Sequence, residues 1–529
     1  MHAHRGVKVL LVVIDAASPR VVCPAVQTGH LPNLKRLADA GEMHQASATI
    51  FPSITPAATT SIITGCYPAE HGIAGASWLD EAENRVAYYG DDFWVIAREG
   101  FGAFVRDFLT GLNGDRLRAP TMFEVAERAG RSAASLNYLV YRGLVRHDAN
   151  VPKLLSLLPG VPFTESVDGP SLLCLGDFVT CRALRHKPLD KGGLMHRFGM
   201  DDEATAELLT EIAAEGLFPE LTVAYFADND YRSHEVGPYR ALPAIERVDA
   251  ALGAMFDAAG GFDRFMQDRC VLVTSDHGHC DILADRERAV IELHHVLAEF
   301  RQAAIGKPWT ERDELMICPN MRAAQLYVHR PTADAIQRVG RTCLLDPRVD
   351  LVMWKRTWTR PDAPGYAVAS PRGHLEFWRA DDGPPATSGH DAFGQLWSWH
   401  GDLEALQFER IDGLVSSTEY PNAFERIAGA LDAPNSGEIW VTAQPGCEFE
   451  VPGGAAHVGG GSHGALHALD SLSPVIVAGA PRRLPRAMRS IDIAPLCLDA
   501  LGIRMRYAVG DARVKAAGPL RGTRPTVTR

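Results

Sequence analysis

Three acidic residues, three histidines and one threonine could together bind metal ions, because each lies where a strand or turn could present it. They are Asp15, Thr55, Asp230, His234, Asp276, His277 and His463. Asp15 ends the apolar run 7–14, and Asp276 with His277 ends the run 270–275. Open α/β sheets bind their ligands at strand ends. The set therefore predicts a metal-dependent site at the edge of such a sheet.

Thr55 is the candidate nucleophile of this set. It precedes Pro56, so we expect it at the N-cap of a helix over 56–64 that is closed by Gly65. Free N–H groups and the helix dipole favour negative charge there, and a hydroxyl beside a divalent cation can ionise and attack phosphorus. A Thr-Pro pair is also an ordinary helix start, and this segment alone leaves both interpretations open.

The other candidate ligands lie in three segments. Asp230 and His234 are four residues apart in a predicted loop after strand 221–226, and such a pair can close on one ion. Asp228 is an alternative to Asp230, which the spacing favours. Asp276 and His277 follow a buried strand and suit zinc, whereas we expect His279 beside the ligands or at the surface. Glycines flank His463, which favours it over His457 and His467.

Together, these motifs resemble the alkaline phosphatase superfamily, and within it the nucleotide pyrophosphatase/type I phosphodiesterase family. The resemblance is carried by Val-Val-Ile-Asp15, Phe-Pro-Ser-Ile-Thr55, the segment 64–73 around His71, Asp230-x-x-x-His234, Ser-Asp276-His277-Gly and Gly-Ser-His463-Gly. It covers most of residues 7–280 and 435–505.

The resemblance implies two divalent metal ions, with Zn²⁺ favoured over Mn²⁺ or Fe by the mixed His/Asp set. Asp230, His234 and His463 would hold one ion, and Asp15, Asp276, His277 and the Thr55 oxygen the other. Two cations about 4 Å apart can clamp an in-line phosphoryl displacement. The implied function is a hydrolase that cleaves a phosphodiester or nucleotide pyrophosphate-like bond through a covalent phospho-threonine on Thr55.

One position departs from the family pattern. The family usually carries an Asn five residues after the histidine that corresponds to His71, and this chain has Ala76 there. Ser77 or Arg232 could replace that contact to the substrate. A phosphomonoesterase or a phosphonate hydrolase of the same superfamily is therefore the alternative.

Two further classes of the superfamily, and one non-enzyme, are also considered. A sulfatase would need Arg where Glu70 stands after Cys66, and a mutase would use Ser in place of Thr55. A non-catalytic binding protein on a phosphatase fold is the alternative from another class, and it predicts lost ligands, whereas this chain keeps them all.

Composition limits the partners and the compartment. The chain has 53 basic and 65 acidic residues, a net charge of −12, which argues against binding a nucleic-acid polymer or an anionic membrane. Ten scattered cysteines without Cys-x-x-Cys pairs favour a cytoplasmic location. No apolar stretch is long enough for a membrane span. A small-molecule phosphate ester is the expected substrate, and nothing in the sequence indicates an oligomeric state.

Alternating apolar strands and helical patterns predict an α/β fold, a mostly parallel central sheet with helices on both faces, as in alkaline phosphatase. We assign residues 1–284 and 433–505 to a catalytic two-metal domain. The less regular stretch 285–432, rich in Trp, Pro and Gly, is expected to be an inserted α+β cap region. The basic segment 506–529 is expected to be a flexible tail.

Overall fold

The structure is a computed structural model that describes residues 7–89, 106–150, 164–180, 199–304, 307–411, 413–452, 454 and 456–504. The expected flexible tail at 506–529 lies outside the described residues.

Strands and helices alternate through the first half of the chain. The strands up to residue 274 are β1 (Lys8–Ile14), β2 (Gly41–Ala48), β3 (Ser77–Asp80), β4 (Arg85–Tyr88), β5 (Ala133–Leu136), β6 (Val145–Asn150), β7 (Thr164–Gly169), β8 (Leu172–Cys174), β9 (Leu221–Phe226) and β10 (Arg269–Thr274). The helices of this half are α1 (Pro19–Thr28), α2 (Pro32–Asp39), α3 (Thr55–Thr64), α4 (Pro68–His71), α5 (Met122–Arg128), α6 (Asp202–Ala214), α7 (Asp228–Val236), α8 (Leu242–Ala258) and α9 (Phe262–Met266).

The second half is richer in strands. They are β11 (Cys280–Asp281), β12 (Val290–Glu292), β13 (Leu315–Asn320), β14 (Ala323–Val328), β15 (Val349–Lys355), β16 (Tyr366–Ser370), β17 (Gly373–Arg379), β18 (Thr387–Asp391), β19 (Leu396–Gly401), β20 (Glu409–Ile411), β21 (Leu414–Ser416), β22 (Ile439–Ala443), β23 (Glu448–Glu450), β24 (Gly461–Ser462), β25 (Leu472–Ala478) and β26 (Met488–Arg489). The helices are α10 (Arg286–Ala289), α11 (Leu293–Val296), α12 (Ala333–Cys343), α13 (Arg356–Thr359), α14 (Ala423–Leu431), α15 (Ala468–Ser471) and α16 (Ile493–Ala500).

The first sheet has eight strands in the order β26-β2-β25-β10-β1-β9-β5-β8. The five strands from β10 to β8 are mutually parallel, and β25 joins β10 in the antiparallel sense. The sequence of β1, Lys-Val-Leu-Leu-Val-Val-Ile, is apolar throughout because both faces of a parallel sheet are covered. The predicted mostly parallel α/β sheet is confirmed.

Alternate side chains of β1 enter two separate cores. Val9, Leu11 and Val13 pack with residues of α3, α5 and α16 on one face. Leu10 and Val12 pack with residues of α1, α2, α6 and α8 on the other. The expected cover of helices on both faces is therefore present.

The second sheet has ten strands in the order β13-β14-β22-β15-β16-β17-β19-β18-β21-β20. It gives the expected cap region a regular core, in which Trp397 and Trp440 are fully buried. The strand Ile439–Ala443 lies inside this sheet, between β14 and β15, although the sequence assigned 433–505 to the catalytic domain. A short apolar run does not reveal which sheet it will join.

Two local expectations were wrong. The segment predicted as a loop at 228–238 is mostly the helix Asp228–Val236, so Asp230 and His234 lie on one helical face. The sequence also predicts a helix over 31–40 that is closed by Gly41. Instead, the helix ends at Asp39 with Ala40 at its C-cap, and Gly41 begins β2. Among the helices in the described ranges, none combines the length and apolarity that crossing a membrane requires.

Candidate metal centre and active site

Three neighbouring parallel strands bring most of the candidate ligands together. The strands β10, β1 and β9 are adjacent in the sheet. Asp15 follows β1, Asp276 and His277 follow β10, and α7 with Asp230 follows β9. Because the strands are parallel, their carboxyl ends meet at one edge of the sheet. The order of strands thus explains why residues separated by more than 200 positions share one site.

Thr55 lies against the first group of ligands. It is the first residue of α3, and Ile54 takes the N-cap position that was predicted for Thr55. The Thr55 Oγ1 is 3.1 Å from the Nε2 of His277. That nitrogen lies 3.5 Å from an oxygen of Asp15 and 3.5 Å from an oxygen of Asp276. Ligand atoms of Asp15, Asp276 and His277 converge within 4.8 Å of one another, a spacing that could hold a metal ion.

A second group surrounds Asp230. Ligand atoms of Asp230, His277, His279 and His463 also converge within 4.8 Å. The Nε2 of His463 is 3.7 Å from Asp230 Oδ1, and the Nε2 of His234 is 3.4 Å from Asp230 Oδ2. His277 belongs to both groups, so the two groups form one continuous centre. All seven residues of the predicted set therefore lie together.

Backbone carbonyls orient three of the imidazoles. The Nδ1 atoms of His234, His277 and His463 lie 2.8, 3.1 and 2.8 Å from the carbonyl oxygens of Gly461, Gly278 and Ser53. A carbonyl only accepts hydrogen bonds, so each Nδ1 carries a proton and each Nε2 is the nitrogen left to bind a metal ion. This arrangement is typical of histidines that bind metal through Nε2.

Several polar atoms of the centre are buried without a partner. Within the described ranges, Asp15 Oδ1, Asp276 Oδ2 and His234 Nε2 are buried and accept or donate no hydrogen bond. A buried polar atom without a partner costs about 1–3 kcal/mol, and more when it is charged. Divalent cations held by this donor set would satisfy all three atoms, so the residues present fit the metals that the sequence predicted.

Protons balance the charge of the metal-free centre. Burial, together with the charges of Asp276 and Asp230, raises the pKa of Asp15 well above its usual value. Burial also raises the pKa of Asp276. Burial would lower the pKa of His234, but the neighbouring Asp230 carboxylate raises it to about 9. Three acids in one buried space thus create a demand for positive charge.

Two further residues contact the acidic ligands, one with two positions left open by the sequence analysis and the other not predicted. His279, expected beside the ligands or at the surface, is fully buried, and its Nε2 lies 2.8 Å from Asp230 Oδ1. The Tyr225 hydroxyl donates to Asp15 Oδ2. Tyr225 lies within β9, where an aromatic residue is ordinary and gives no signal of function. For His279, the signal was its position two residues after the Asp-His pair.

The two predicted substrate-binding residues do not line the site. Arg232 projects from α7 with 51% of its side chain exposed, and its guanidinium pairs with Glu235 at 2.6 Å. Ser77 is buried at the start of β3. The side-chain oxygen of Asn320 accepts the backbone N–H groups of Ala76 and Ser77, at 2.7 and 3.2 Å. Asn320, from the second sheet, therefore supports the segment where the family's Asn is replaced.

His71 supports the fold. It is fully buried, its Nε2 lies 2.9 Å from the Ser61 hydroxyl, and burial lowers its pKa to about 3.

A cavity of about 710 Å³ opens in front of the centre. Asp15, Thr55, Asp230, His234 and His463 line one part of its wall. Cavities of this size accommodate small organic ligands. Thr55 and the ligands are thus accessible to a small molecule.

Comparison with protein families decides the assignment. The model of the type I phosphodiesterase / nucleotide pyrophosphatase family matches residues 9–349. The chain belongs to this family. The family is named for enzymes that hydrolyse phosphoric ester bonds, which argues against the alternative of a non-catalytic binding protein.

Solved structures share the fold over nearly the whole chain. Human ectonucleotide pyrophosphatase / phosphodiesterase 5 aligns with a TM-score of 0.52 and 15% identity, covering 94% of this chain and 96% of that one. The murine protein aligns with a TM-score of 0.54 and 14% identity, covering 94% of this chain and 95% of that one. Phosphonoacetate hydrolase from Sinorhizobium meliloti 1021, in complex with phosphonoformate, aligns with a TM-score of 0.52 and 17% identity. The alignment covers 94% of this chain and 96% of that one.

Curated relatives match over a short segment only. The 2,3-bisphosphoglycerate-independent phosphoglycerate mutase of Syntrophotalea carbinolica is 34% identical over 98 residues, 18% of this chain and 17% of that protein. The mutase of Roseobacter denitrificans is 32% identical over 92 residues, 17% of each chain. The chain thus spans about a sixth of the length of the curated relatives it matches.

Proposed function

We propose that this family member hydrolyses a phosphodiester or a nucleotide pyrophosphate-like bond through a covalent phospho-threonine on Thr55. The observation that carries the proposal is the position of Thr55 Oγ1, which faces the cavity at the start of α3 and lies 3.1 Å from His277 Nε2. A hydroxyl next to the ligand groups and open to a small molecule is suited to attack phosphorus.

Asp230, His234 and His463 would hold one divalent cation, and Asp15, Asp276, His277 and Thr55 Oγ1 the other. Such cations would supply positive charge that lowers the pKa of the Thr55 hydroxyl and offsets charge on the phosphoryl oxygens. The mixed Asp/His donor set favours zinc, with manganese or iron as alternatives.

The chain's own groups position the reaction. The first backbone N–H groups of α3 have no partner within the helix, and they favour an anionic phosphoryl group beside Thr55. The Tyr225 hydroxyl donates to Asp15 and so fixes the orientation of that carboxylate. Attack by Thr55 Oγ1 forms the bond to phosphorus while the bond to the leaving oxygen breaks, and attack of water on phosphorus then releases Thr55.

A phosphomonoester or a phosphonate is the second candidate substrate. Ala76 favours it, because the side chain that the family uses to contact a phosphoryl oxygen is absent at this position.

We also propose a cytoplasmic location, which the nine free, buried cysteines of the described ranges support.

The test compares Thr55→Ala with wild type in p-nitrophenol release from mono- and diesters. We expect Thr55→Ala to lower turnover at least about 1,000-fold. Bound zinc is measured in both proteins. Thr55→Ser keeps a hydroxyl and serves as the matched control. Mass spectrometry after acid quenching should find the phosphoryl adduct on residue 55. Turnover that is unchanged in Thr55→Ala, with no adduct in wild type, would contradict the mechanism.

A further inference from the structure

The wall of the cavity away from the ligands is mostly apolar. Its apolar side chains include Tyr89, Phe108, Leu139, Met200, Met321 and Phe449. Leu139, Tyr89 and Met321 are partly buried and rest against one core of the chain, while Phe108 and Met200 rest against another. Each therefore has support behind it and apolar surface turned to the cavity, as in a preformed site for an organic group.

Carboxylates outnumber permanent cations among the described residues that line the cavity. Among the described residues that line the cavity, none is Lys or Arg, whereas Glu235, Glu448 and Glu450 contribute carboxylates in addition to Asp15 and Asp230. Glu448 is buried and accepts from Ser462 at 2.7 Å, with His457 Nδ1 at 2.9 Å from the same oxygen. Cations outside the lining pair with the other two, Arg232 with Glu235 and Arg286 with Glu450.

The metal centre and the rest of the cavity wall suit different parts of a substrate. The metal centre can neutralise one anionic phosphoryl group, but a second anionic group on the substrate would meet carboxylates and apolar side chains. An unpaired charge in such surroundings is costly to desolvate. An alkyl or aryl group would instead bury apolar surface, which contributes about 0.8 kcal/mol per methylene.

We infer that the substrate carries an apolar alkyl or aryl group on its phosphorus centre and no second anionic group. This inference rests on the proposed function, since it assigns the substrate class of the same site. It selects an apolar ester over a nucleoside polyphosphate or a carboxylated phosphonate. The phosphoryl group lies at the ligands, and the organic group lies along the wall formed by Leu139, Met200 and Phe449.

The test uses diesters that share one leaving group. The p-nitrophenyl phosphates of methanol, butanol and octanol are compared with the 3-carboxypropyl ester, which matches the butyl ester in length. We expect kcat/KM to rise roughly fourfold per added methylene from methyl to butyl. The carboxylated ester should be at least about tenfold slower than the butyl ester. Equal rates for all four, or a faster carboxylated ester, would overturn the inference.

A substitution in the wall should weaken the preference for the butyl ester. Met200→Lys places a cation beside the organic group, and we expect it to reduce the ratio of butyl to carboxylated turnover at least about fivefold. Met200→Leu keeps an apolar side chain and should preserve that ratio. Met200 is outside the predicted ligand set, so both variants should keep wild-type metal content. An unchanged ratio in Met200→Lys would count against the assigned position of the organic group.

Binding measured without turnover separates this inference from the proposed function. Zinc-loaded Thr55→Ala protein is titrated with methyl-, butyl-, octyl- and 3-carboxypropylphosphonate by calorimetry. Affinity that rises with chain length and falls with the carboxylate supports the substrate class even if no ester is hydrolysed. If hydrolysis depends on Thr55 but affinity does not change with the length of the alkyl chain, the substrate class is refuted and the proposed function still holds.

Discussion

His279 illustrates how a single side chain can complete the candidate centre from a position that the sequence left open. Its ring is fully buried, and its Nε2 lies 2.8 Å from Asp230 Oδ1. The same carboxylate oxygen is 3.7 Å from His463 Nε2. His279 therefore orients Asp230 toward the other ligands, or reaches the ion itself from the same position.

Replacing His279 by Phe should weaken metal binding while leaving Thr55 in place. The variant keeps an aromatic ring but loses the hydrogen bond to Asp230, and losses of this kind cost about 10- to 100-fold in metal affinity. Competition with a chromophoric chelator measures the affinity. His279→Gln, which can still donate to Asp230, is the matched control and should lie between Phe and wild type. Equal zinc affinity in all three folded proteins would show that His279 has no part in the centre.

At the scale of elements, α14 connects the second sheet to the loops of the centre. Its residue Arg426 is fully buried and donates to Leu466 O at 2.9 Å, to Ser471 Oγ at 2.5 Å and to Ser53 Oγ at 3.2 Å. Ser53 O in turn accepts from His463 Nδ1. One guanidinium thus holds the loop before Thr55 and the segment after His463 in a fixed relation.

Arg426→Met should destabilise the protein and loosen both loops. The change leaves several buried acceptors without donors, each worth about 1–3 kcal/mol, so we expect a loss of about 3 kcal/mol or more in the free energy of unfolding. Zinc affinity should fall as well, because His463 loses its fixed position. Urea denaturation and chelator competition measure the two effects. The exposed Arg341→Met on α12 is the control, expected within about 0.5 kcal/mol of wild type.

At the scale of the whole molecule, metal binding and folding are coupled through protons. The two sheets and their loops enclose a centre in which the pKa of Asp15 is raised by burial, and that of His234 is raised to about 9 by Asp230. Metal ligands must be deprotonated, so binding of the ions releases these protons. The metal-free protein and the loaded protein should therefore respond to pH in opposite ways.

Removal of metal by a chelator should lower the melting temperature, and more so at high pH. The folded pKa of His234, about 9, exceeds the unfolded value of about 6.5. The stabilisation it gives the metal-free protein is thus complete below about 6.5 and is lost as the pH rises through about 9. The raised pKa of Asp15 acts in the same direction. Metal affinity, in contrast, increases with pH.

Melting curves at pH 6.5, 8 and 9.5, with and without chelator, measure this difference. We expect the difference in melting temperature between the loaded and the metal-free protein to increase as the pH rises. His234→Asn removes one of the groups with a raised pKa and should flatten the pH dependence of the melting temperature of the metal-free protein. If the difference in melting temperature stays constant over this pH range, protonation of Asp15 and His234 does not oppose metal binding.

Local sequence pattern by itself determined the strands that end at the site. The run 221–226 was predicted at the bounds that the structure gives it, and the run 7–14 and the helix after Thr55 each within one residue. Apolar runs closed by Gly or Pro follow from local sterics and burial. The chemistry of the candidate ligands was also readable, since acids and imidazoles at strand ends have few other roles. Their assignment to two particular ions stays a prediction.

Only the tertiary structure decided which elements meet. The pairing of β22 with β14 and β15, the contact of His279 with Asp230 and the reach of Arg426 to Ser53 all join residues distant in sequence. No local pattern encodes such contacts, because they depend on how sheets and helices pack. For the same reason, the apolar wall of the cavity emerged only when separate segments of the chain were brought together around the ligand set predicted at the outset.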